Sequence, residues 1–75
     1  MPKLPVLSSR EFIKFLISKG FEYAYTHGSH HVYKLGDRMT SVPERKKGEI
    51  KTGLLLGMLA EAELTREDLI KWCHS

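Results

Sequence analysis

Cysteine is almost absent from this sequence, since Cys73 is the only one in 75 residues. A single cysteine excludes an internal disulfide, and a lone thiol is more typical of a reducing cytosol than of a secreted domain. Long apolar runs are also missing. The longest, Leu54-Leu55-Leu56, is far too short to cross a membrane, and no charged-then-apolar leader is visible. We therefore expect a cytoplasmic protein that does not bind a membrane.

Linkers, repeats and low-complexity tracts are absent as well, so the sequence predicts a single domain over residues 1–75. A domain of this size buries only about 60% of its unfolded surface, and it often relies on tight helix packing or on a partner. Lysine and arginine outnumber aspartate and glutamate by 12 to 9, which gives a net charge of +3. This weakly basic balance permits a nucleic-acid partner but does not require one.

Two helix-start signals lie near the ends of the chain. Ser8 and Glu11 fit a capping box, which predicts a helix that ends at Gly20. The apolar stripe of this helix is expected at Phe12, Ile13, Leu16 and Ile17. Thr65 and Asp68 fit a second capping box, ahead of a short last helix that carries Leu69, Ile70 and Trp72.

Strands and a longer helix are predicted between these two helices. Strand-like patterns cover residues 21–26, 30–35 and 38–42, with turns at 27–29 and 36–37, and Pro43 ends the third strand. Apolar residues at helical spacing from Ile50 to Ala62 predict the longer helix. Within it, Gly53 and Gly57 indicate close packing or a contact face that needs a small residue.

The predicted fold is therefore α+β. Its order is helix-strand-strand-strand-helix, with a three-stranded antiparallel sheet and a short C-terminal helix. Helices that cover one face of such a sheet leave the other face to solvent or to a ligand.

The stretch GSHHVYK, residues 28–34, contains two adjacent histidines at the start of the second predicted strand. Neighbours on a strand point to opposite faces, so His30 and His31 should not serve one ligand together. From their position alone, both residues are expected to be surface or half-buried histidines with no catalytic role. A metal site at His27, His30 and His31 is a weaker interpretation, because no cysteine or acidic cluster completes a ligand set. We expect neither a metal nor another cofactor.

Acid–base chemistry is the functional interpretation of this stretch. An imidazole can take up and release protons near neutral pH, so it can remove the proton from a ribose 2′-hydroxyl, whose oxygen then attacks the adjacent phosphorus. That reaction needs no metal and cannot occur on DNA. Gly28 would let a phosphate approach the backbone, and the Ser29 hydroxyl could hydrogen-bond it. A serine nucleophile is disfavoured, because no acid that would orient a histidine is evident.

Cations that could contact RNA phosphates cluster after the third strand. Arg45, Lys46 and Lys47 precede Lys51 at the expected helix start, where the backbone N–H groups of Gly48, Glu49 and Ile50 could also bind phosphate. The charge of this segment alone would fit a solvated loop without RNA contacts as well as it fits an RNA-binding loop. The residues predicted to hold or approach RNA are Gly28, Ser29, Lys34, Arg38, Lys46, Lys47 and Lys51.

Three stretches together resemble the HicA toxin family: SSREFIKFLISKGF, GSHHVYK and SVPERKKGEIKTGLLLGMLAEAELTREDL. The most specific element is Gly-Ser-His before a strand, combined with Val-Pro, a basic loop and Glu-Ile-Lys at the start of a helix. The resemblance implies a fold like that of double-stranded-RNA-binding domains and an mRNA-cleaving toxin of a type II toxin–antitoxin pair. It further implies metal-independent cleavage and inhibition by a HicB-type antitoxin. The family's catalytic histidine, the one after Gly-Ser, corresponds to His30, which the resemblance implies as the single acid–base group.

The chain also departs from the family pattern. Many members carry a histidine at or near the position after Val-Pro, where this chain has Glu44. Two other functions remain open on sequence grounds. One is a non-catalytic RNA-binding module, or a decayed toxin that keeps only its antitoxin interface. The other is an interaction domain that folds stably only when it is bound.

Overall fold

The computed structural model describes residues 6–44 and 48–74. The elements are α1 (Ser9–Ser18), β1 (Glu22–His27), β2 (His30–Leu35), β3 (Arg38–Pro43), α2 (Thr52–Glu61) and α3 (Arg66–His74). The strands form one antiparallel sheet in the order β1-β2-β3. The predicted α+β fold with a three-stranded antiparallel sheet and a last short helix is confirmed.

Helix α1 begins with the predicted capping box. The Oγ of Ser8 accepts a hydrogen bond from the Glu11 N–H at 3.2 Å, and Glu11 Oε1 accepts one from the Ser8 N–H at 3.1 Å. The buried stripe of α1 was predicted only in part. Phe15 is fully buried, whereas Ile17 is 57% exposed. Ile17 lies five positions after Phe12, about 140° around the helix, which takes it off the buried face.

The turn between β1 and β2 is shorter than the sequence predicted. His27 belongs to β1, so only Gly28 and Ser29 form the turn. Gly28 has φ of +62°, and Ser29 is not among the residues with positive φ. A positive φ at the first of two turn residues is the type II′ pattern, which suits glycine and matches the twist of paired strands. The extra residue in β1 is accommodated by a bulge between Tyr23 and Tyr25.

The three helices and one face of the sheet enclose the core. Its buried members are Leu7, Phe12, Phe15, Leu16, Phe21, Tyr33, Val42, Ile50, Leu55, Met58, Leu59, Ala62 and Leu69. Ser9, also buried, donates its hydroxyl to the Pro43 carbonyl at 2.7 Å and so joins the start of α1 to the end of β3. This contact fixes the sheet edge near the two histidines relative to the helices.

Helix α2 begins later than predicted. Ile50 precedes it in an extended segment, where its N–H donates to the Leu7 carbonyl at 2.8 Å. The prediction that the glycines of α2 permit close packing within the domain is wrong. A methyl group added to Gly53 or Gly57 would have no neighbour within 4 Å among the described atoms. Both glycines are exposed, and their use as a contact face for another molecule stays a prediction.

Helix α3 begins with the second predicted capping box. The Asp68 N–H donates to Thr65 Oγ1 at 3.1 Å, and the Thr65 N–H donates to Asp68 Oδ2 at 3.0 Å. Hydrogen bonds from Thr65 lower the pKa of Asp68 below its ordinary value. Further along α3, the Trp72 ring packs on Phe15 with 5.6 Å between ring centroids. The last helix is therefore part of the core packing.

Candidate active site

The two adjacent histidines lie on opposite faces of the sheet, as strand alternation predicts. His31 pairs with Val42 across β2 and β3, and it shares its face with the buried Tyr33. His31 therefore faces the side of the helices, and His30 faces the open side. The sequence could not decide between these two orientations, because Val32 and Tyr33 both suit a core, and both are in fact buried.

His30 lies in a cleft of about 370 Å³. The cleft is lined by Tyr25, His27, His30, Val32, Met39, Thr40, Ser41 and Glu61. His27 and His30 are direct partners across β1 and β2, and the Cβ atoms of such partners are about 4.5–5.5 Å apart. Two exposed imidazoles thus share one cleft. The sequence pattern does not indicate this pair, because His27 beside Gly28 and Ser29 fits a turn rather than the end of a strand.

The turn beside His30 is small, exposed and anchored. Nothing lies within 4 Å of a methyl group built on Gly28. The Ser29 carbonyl accepts a hydrogen bond from the Glu44 N–H at 2.6 Å, which attaches the turn to the end of β3. The backbone and the hydroxyl of the turn are consequently open to an incoming group from the solvent side.

His31 is held in a chain of polar contacts. Its Nδ1 lies 2.9 Å from Thr26 Oγ1, which in turn lies 2.5 Å from the Tyr23 hydroxyl. Its Nε2 lies 4.0 Å from a carboxylate oxygen of Glu44, an ion pair when the imidazole is protonated. These contacts fix the orientation of His31, and the alternation of residues in the sequence gave no sign of them.

A second, larger cleft of about 740 Å³ adjoins His31. It is lined by Ser8, Ser9, Arg10, Ile13, His31, Glu44 and Gly48. The cleft contains one cation, the Arg10 guanidinium, and one carboxylate, that of Glu44. In the sequence, Glu44 was notable only as a departure from the family pattern. His31 thus has a polar cleft of its own on the side opposite to His30.

The predicted RNA-binding cations that the structure describes, Lys34, Arg38 and Lys51, do not form one cluster. Lys34 lies on the same face of β2 as His30, and its Nζ is 5.8 Å from the centroid of the Tyr25 ring. Arg38 lies at the opposite end of the β2–β3 pair, where its Nε is 3.6 Å from a Glu63 carboxylate oxygen. Lys51 is exposed immediately before α2. Arg45, Lys46 and Lys47 fall outside the described residues.

Only some of the groups predicted to bind phosphate at the start of α2 are free to do so. The Ile50 N–H is occupied by the Leu7 carbonyl, so the prediction that it could bind a phosphate is wrong. The N-cap position of α2 is Lys51, which makes no side-chain capping bond, and the first turn contains no acidic residue. Phosphate binding at this helix start would therefore depend on the Lys51 side chain and the first N–H groups of α2.

A metal-binding interpretation of the three histidines finds no geometric support, because His31 faces away from His27 and His30. Among residues 6–44 and 48–74, no group of three or more histidine, cysteine, aspartate or glutamate side chains is placed to hold a metal ion. Over the same residues, no helix is both long and apolar enough to cross a membrane.

A comparison with protein families decides the identity. The family model described as the HicA toxin of bacterial toxin–antitoxin matches residues 9–64. The chain belongs to the HicA toxin family. The matched region runs from the first residue of α1 to just beyond α2, and it includes all the lining residues of the His30 cleft and all but Ser8 of the His31 cleft. A search among curated proteins gives no match.

Membership of the HicA family assigns this chain the role of a toxin and implies an antitoxin partner. The resemblance that Gly-Ser-His, Val-Pro and the Glu-Ile-Lys segment indicated in the sequence is thereby confirmed. Glu44, which the sequence marked as a departure from the family pattern, places a carboxylate oxygen 4.0 Å from His31 Nε2.

Proposed function

We propose that this HicA toxin is an endoribonuclease that cleaves mRNA without a metal ion and uses His30 as its acid–base group. The observation that best supports this function is the position of His30. It lies in an open cleft of the sheet, immediately after a two-residue turn with an exposed glycine and an exposed serine. A phosphate can approach Gly28 closely, accept a hydrogen bond from Ser29 and lie beside the imidazole.

The reaction needs only proton transfers and one displacement at phosphorus. His30 removes the proton from a ribose 2′-hydroxyl, and the 2′-oxygen forms a bond to the adjacent phosphorus. The bond from phosphorus to the 5′-oxygen breaks, and that oxygen leaves with the electron pair and gains a proton. The products are a 2′,3′-cyclic phosphate and a 5′-hydroxyl. DNA has no 2′-hydroxyl and is not a substrate.

RNA would be held chiefly through its phosphates, which position the strand without reading its sequence. Lys34 is the cation on the His30 face of β2, so it is assigned to the phosphates nearest the reaction. Lys51, which is exposed immediately before α2, is assigned to a phosphate further along the RNA, and Lys46 and Lys47 are included as RNA contacts on the grounds of their charge in the sequence. Arg38 would contribute only at the far end of the sheet and only after it exchanges Glu63 for a phosphate.

We further propose that the antitoxin is of the HicB type and that the toxin acts on mRNA in the cytoplasm. The alternative to catalysis is that the chain binds RNA without cleaving it, or is a decayed toxin that keeps only its antitoxin interface. The exposed cleft around His30 meets a requirement of catalysis, because a buried or occupied imidazole could not reach a substrate, and the cleavage test decides between catalysis and these alternatives.

The test uses purified toxin in buffer that contains a chelator, with three substrates of one sequence. These are an RNA oligonucleotide, its DNA copy, and the same RNA with 2′-deoxyribose at each position where the toxin cuts the first. We expect cleavage of the RNA alone, with a cyclic phosphate and a 5′-hydroxyl at the new ends. Binding of the RNA without cleavage would support the non-catalytic alternative. Loss of cleavage on chelation would contradict the metal-free mechanism.

A further inference from the structure

The cleft that contains His30 also contains a second histidine, His27, to which the proposed mechanism assigns no role. His27 is the last residue of β1, and His30 is the first residue of β2. They are paired directly across the two strands, and both line the same cleft. We propose that His27 is a catalytic residue, which protonates the leaving 5′-oxygen while His30 accepts the proton of the 2′-hydroxyl. This inference rests on the proposed ribonuclease function.

Directly opposed residues suit a reaction that needs an acid and a base at one phosphate. Attack and departure take place on opposite sides of the phosphorus, so one imidazole cannot contact both oxygens at the same moment. Cross-strand Cβ atoms are about 4.5–5.5 Å apart, which lets two imidazoles lie on either side of a phosphate held at the turn. A second positioned group of this kind typically contributes about 10²–10⁴-fold in rate.

The three histidines differ in whether other side chains contact their ring nitrogens. Thr26 and Glu44 engage both ring nitrogens of His31. Within the described residues, neither the His27 side chain nor the His30 side chain makes a hydrogen bond or an ion pair, and both residues are exposed. The two imidazoles of the cleft are therefore free to turn toward a substrate, whereas His31 is fixed in place.

The protons balance over one turnover. At the start, His27 is protonated and His30 is neutral. His30 gains the proton from the 2′-oxygen as the new oxygen–phosphorus bond forms. His27 gives its proton to the 5′-oxygen as the old bond breaks. Each imidazole then exchanges one proton with water, which restores the starting state without an oxidant, a reductant or a metal.

Other titratable groups near this pair come from β1, β2 and α2. Tyr25 on β1 and Glu61 on α2 line the cleft, and Lys34 lies on the same face of β2. The β3 residues of the cleft, Met39, Thr40 and Ser41, do not titrate near neutral pH. Glu61 is the one carboxylate of the cleft, and Thr40 donates a hydrogen bond to it at 3.5 Å. It is the rival proton carrier, and the Glu61→Gln variant tests it separately.

The experiment compares two leaving groups at a cleavage site first mapped with wild-type toxin. One RNA oligonucleotide has the natural bridging 5′-oxygen, and the other has sulfur at that position, which leaves as a thiolate without needing a proton. We expect His27→Ala to cleave the oxygen substrate at least about 100-fold more slowly than wild type. It should cleave the sulfur substrate at nearly the wild-type rate. His30→Ala should be slow on both substrates.

Controls and the pH profile complete the test. His74→Ala removes an exposed histidine of α3 and should leave both rates unchanged. Glu61→Gln tests the rival, because a loss confined to the oxygen substrate in that variant, and absent from His27→Ala, would assign the proton transfer to Glu61 instead. Circular dichroism checks the fold of each variant, and His27→Gln provides a second variant that keeps a polar side chain at the strand end. Wild type should show a bell-shaped pH profile, and His27→Ala should lose the decline at high pH, because that decline reports the group that must be protonated.

Two results would overturn the assignment. Wild-type rates for a folded His27→Ala on the oxygen substrate would exclude an acid role. An equal loss on both substrates would show that His27 serves in binding or in the fold. Failure of the proposed function looks different, because wild-type toxin itself would then cleave neither substrate.

Discussion

Phe15 is expected to carry the largest share of stability of any single side chain in α1. It is fully buried, and its ring lies 5.7 Å from that of Phe12 and 5.6 Å from that of Trp72. Replacing a buried phenylalanine with alanine costs about 3–5 kcal/mol, and each aromatic pair adds about 0.5–1.5 kcal/mol beyond burial. The loss for Phe15→Ala should therefore fall in the upper half of the range, about 4–5 kcal/mol.

That loss is comparable with the stability of the whole domain. At about 0.05–0.15 kcal/mol per residue, a chain of 75 residues has a free energy of unfolding of about 4–11 kcal/mol. A domain of this size buries a small fraction of its surface and belongs in the lower part of that range, so Phe15→Ala should be partly or wholly unfolded in the absence of a partner. The conservative Phe15→Leu keeps most of the buried volume and should stay folded with a smaller loss.

The assay is urea unfolding followed by tryptophan fluorescence. Trp72 is the only tryptophan and packs on Phe15, so its emission reports this contact directly. Ile17→Ala is the matched control on the same helix, because Ile17 is 57% exposed and its removal should change stability by no more than about 0.5 kcal/mol. An Ile17→Ala variant that lost as much stability as Phe15→Ala would refute the assignment of the buried face.

Three further predictions concern the last helix, the basic loop and acid stability. Trp72→Ala should destabilise the domain strongly, up to the roughly 3–5 kcal/mol of a core aromatic, and a folded, fully active variant in urea and cleavage assays would show that α3 is peripheral. Replacing Lys46 and Lys47 with alanine should weaken RNA binding and flatten its dependence on salt; an unchanged slope in a titration would remove the loop from the RNA site. Because the folded-state pKa of Asp68 is lowered from 3.8, its contribution is fully present above that value and is lost as pH falls through the folded-state pKa. The stability difference between wild type and Asp68→Ala should therefore shrink in urea unfolding below about pH 3.8, and a constant difference would contradict the role of the Thr65 bonds.

Local signals predicted the order of the elements well. Both capping boxes depend on residues only three positions apart, so they can be recognised without the tertiary structure. The alternation of residues likewise predicted that His30 and His31 face opposite sides. Alternation does not predict which of the two histidines faces the core, because that depends on which face of β2 the helices cover.

The remaining errors arise where a distant contact overrides a local pattern. Ile50 fits the helical spacing of α2, yet its N–H pairs with Leu7, far away in sequence, and the helix starts after it. His27 fits a turn beside glycine, yet the bulge in β1 and pairing with His30 extend the strand to include it. The cleft shared by the two histidines follows from this register and could not be read from the sequence.

The most direct test of the account is RNA cleavage by His30→Ala and His31→Ala, compared with wild type in chelator-treated buffer. Both variants are first shown to be folded by circular dichroism. The account predicts that His30→Ala loses about 10²–10⁴ in rate and no longer arrests growth, while it still binds its antitoxin. His31→Ala should lose stability through its contacts with Thr26 and Glu44 but still cleave. A folded His30→Ala that cleaves RNA normally, or a folded but inactive His31→Ala, would contradict the assignment of His30.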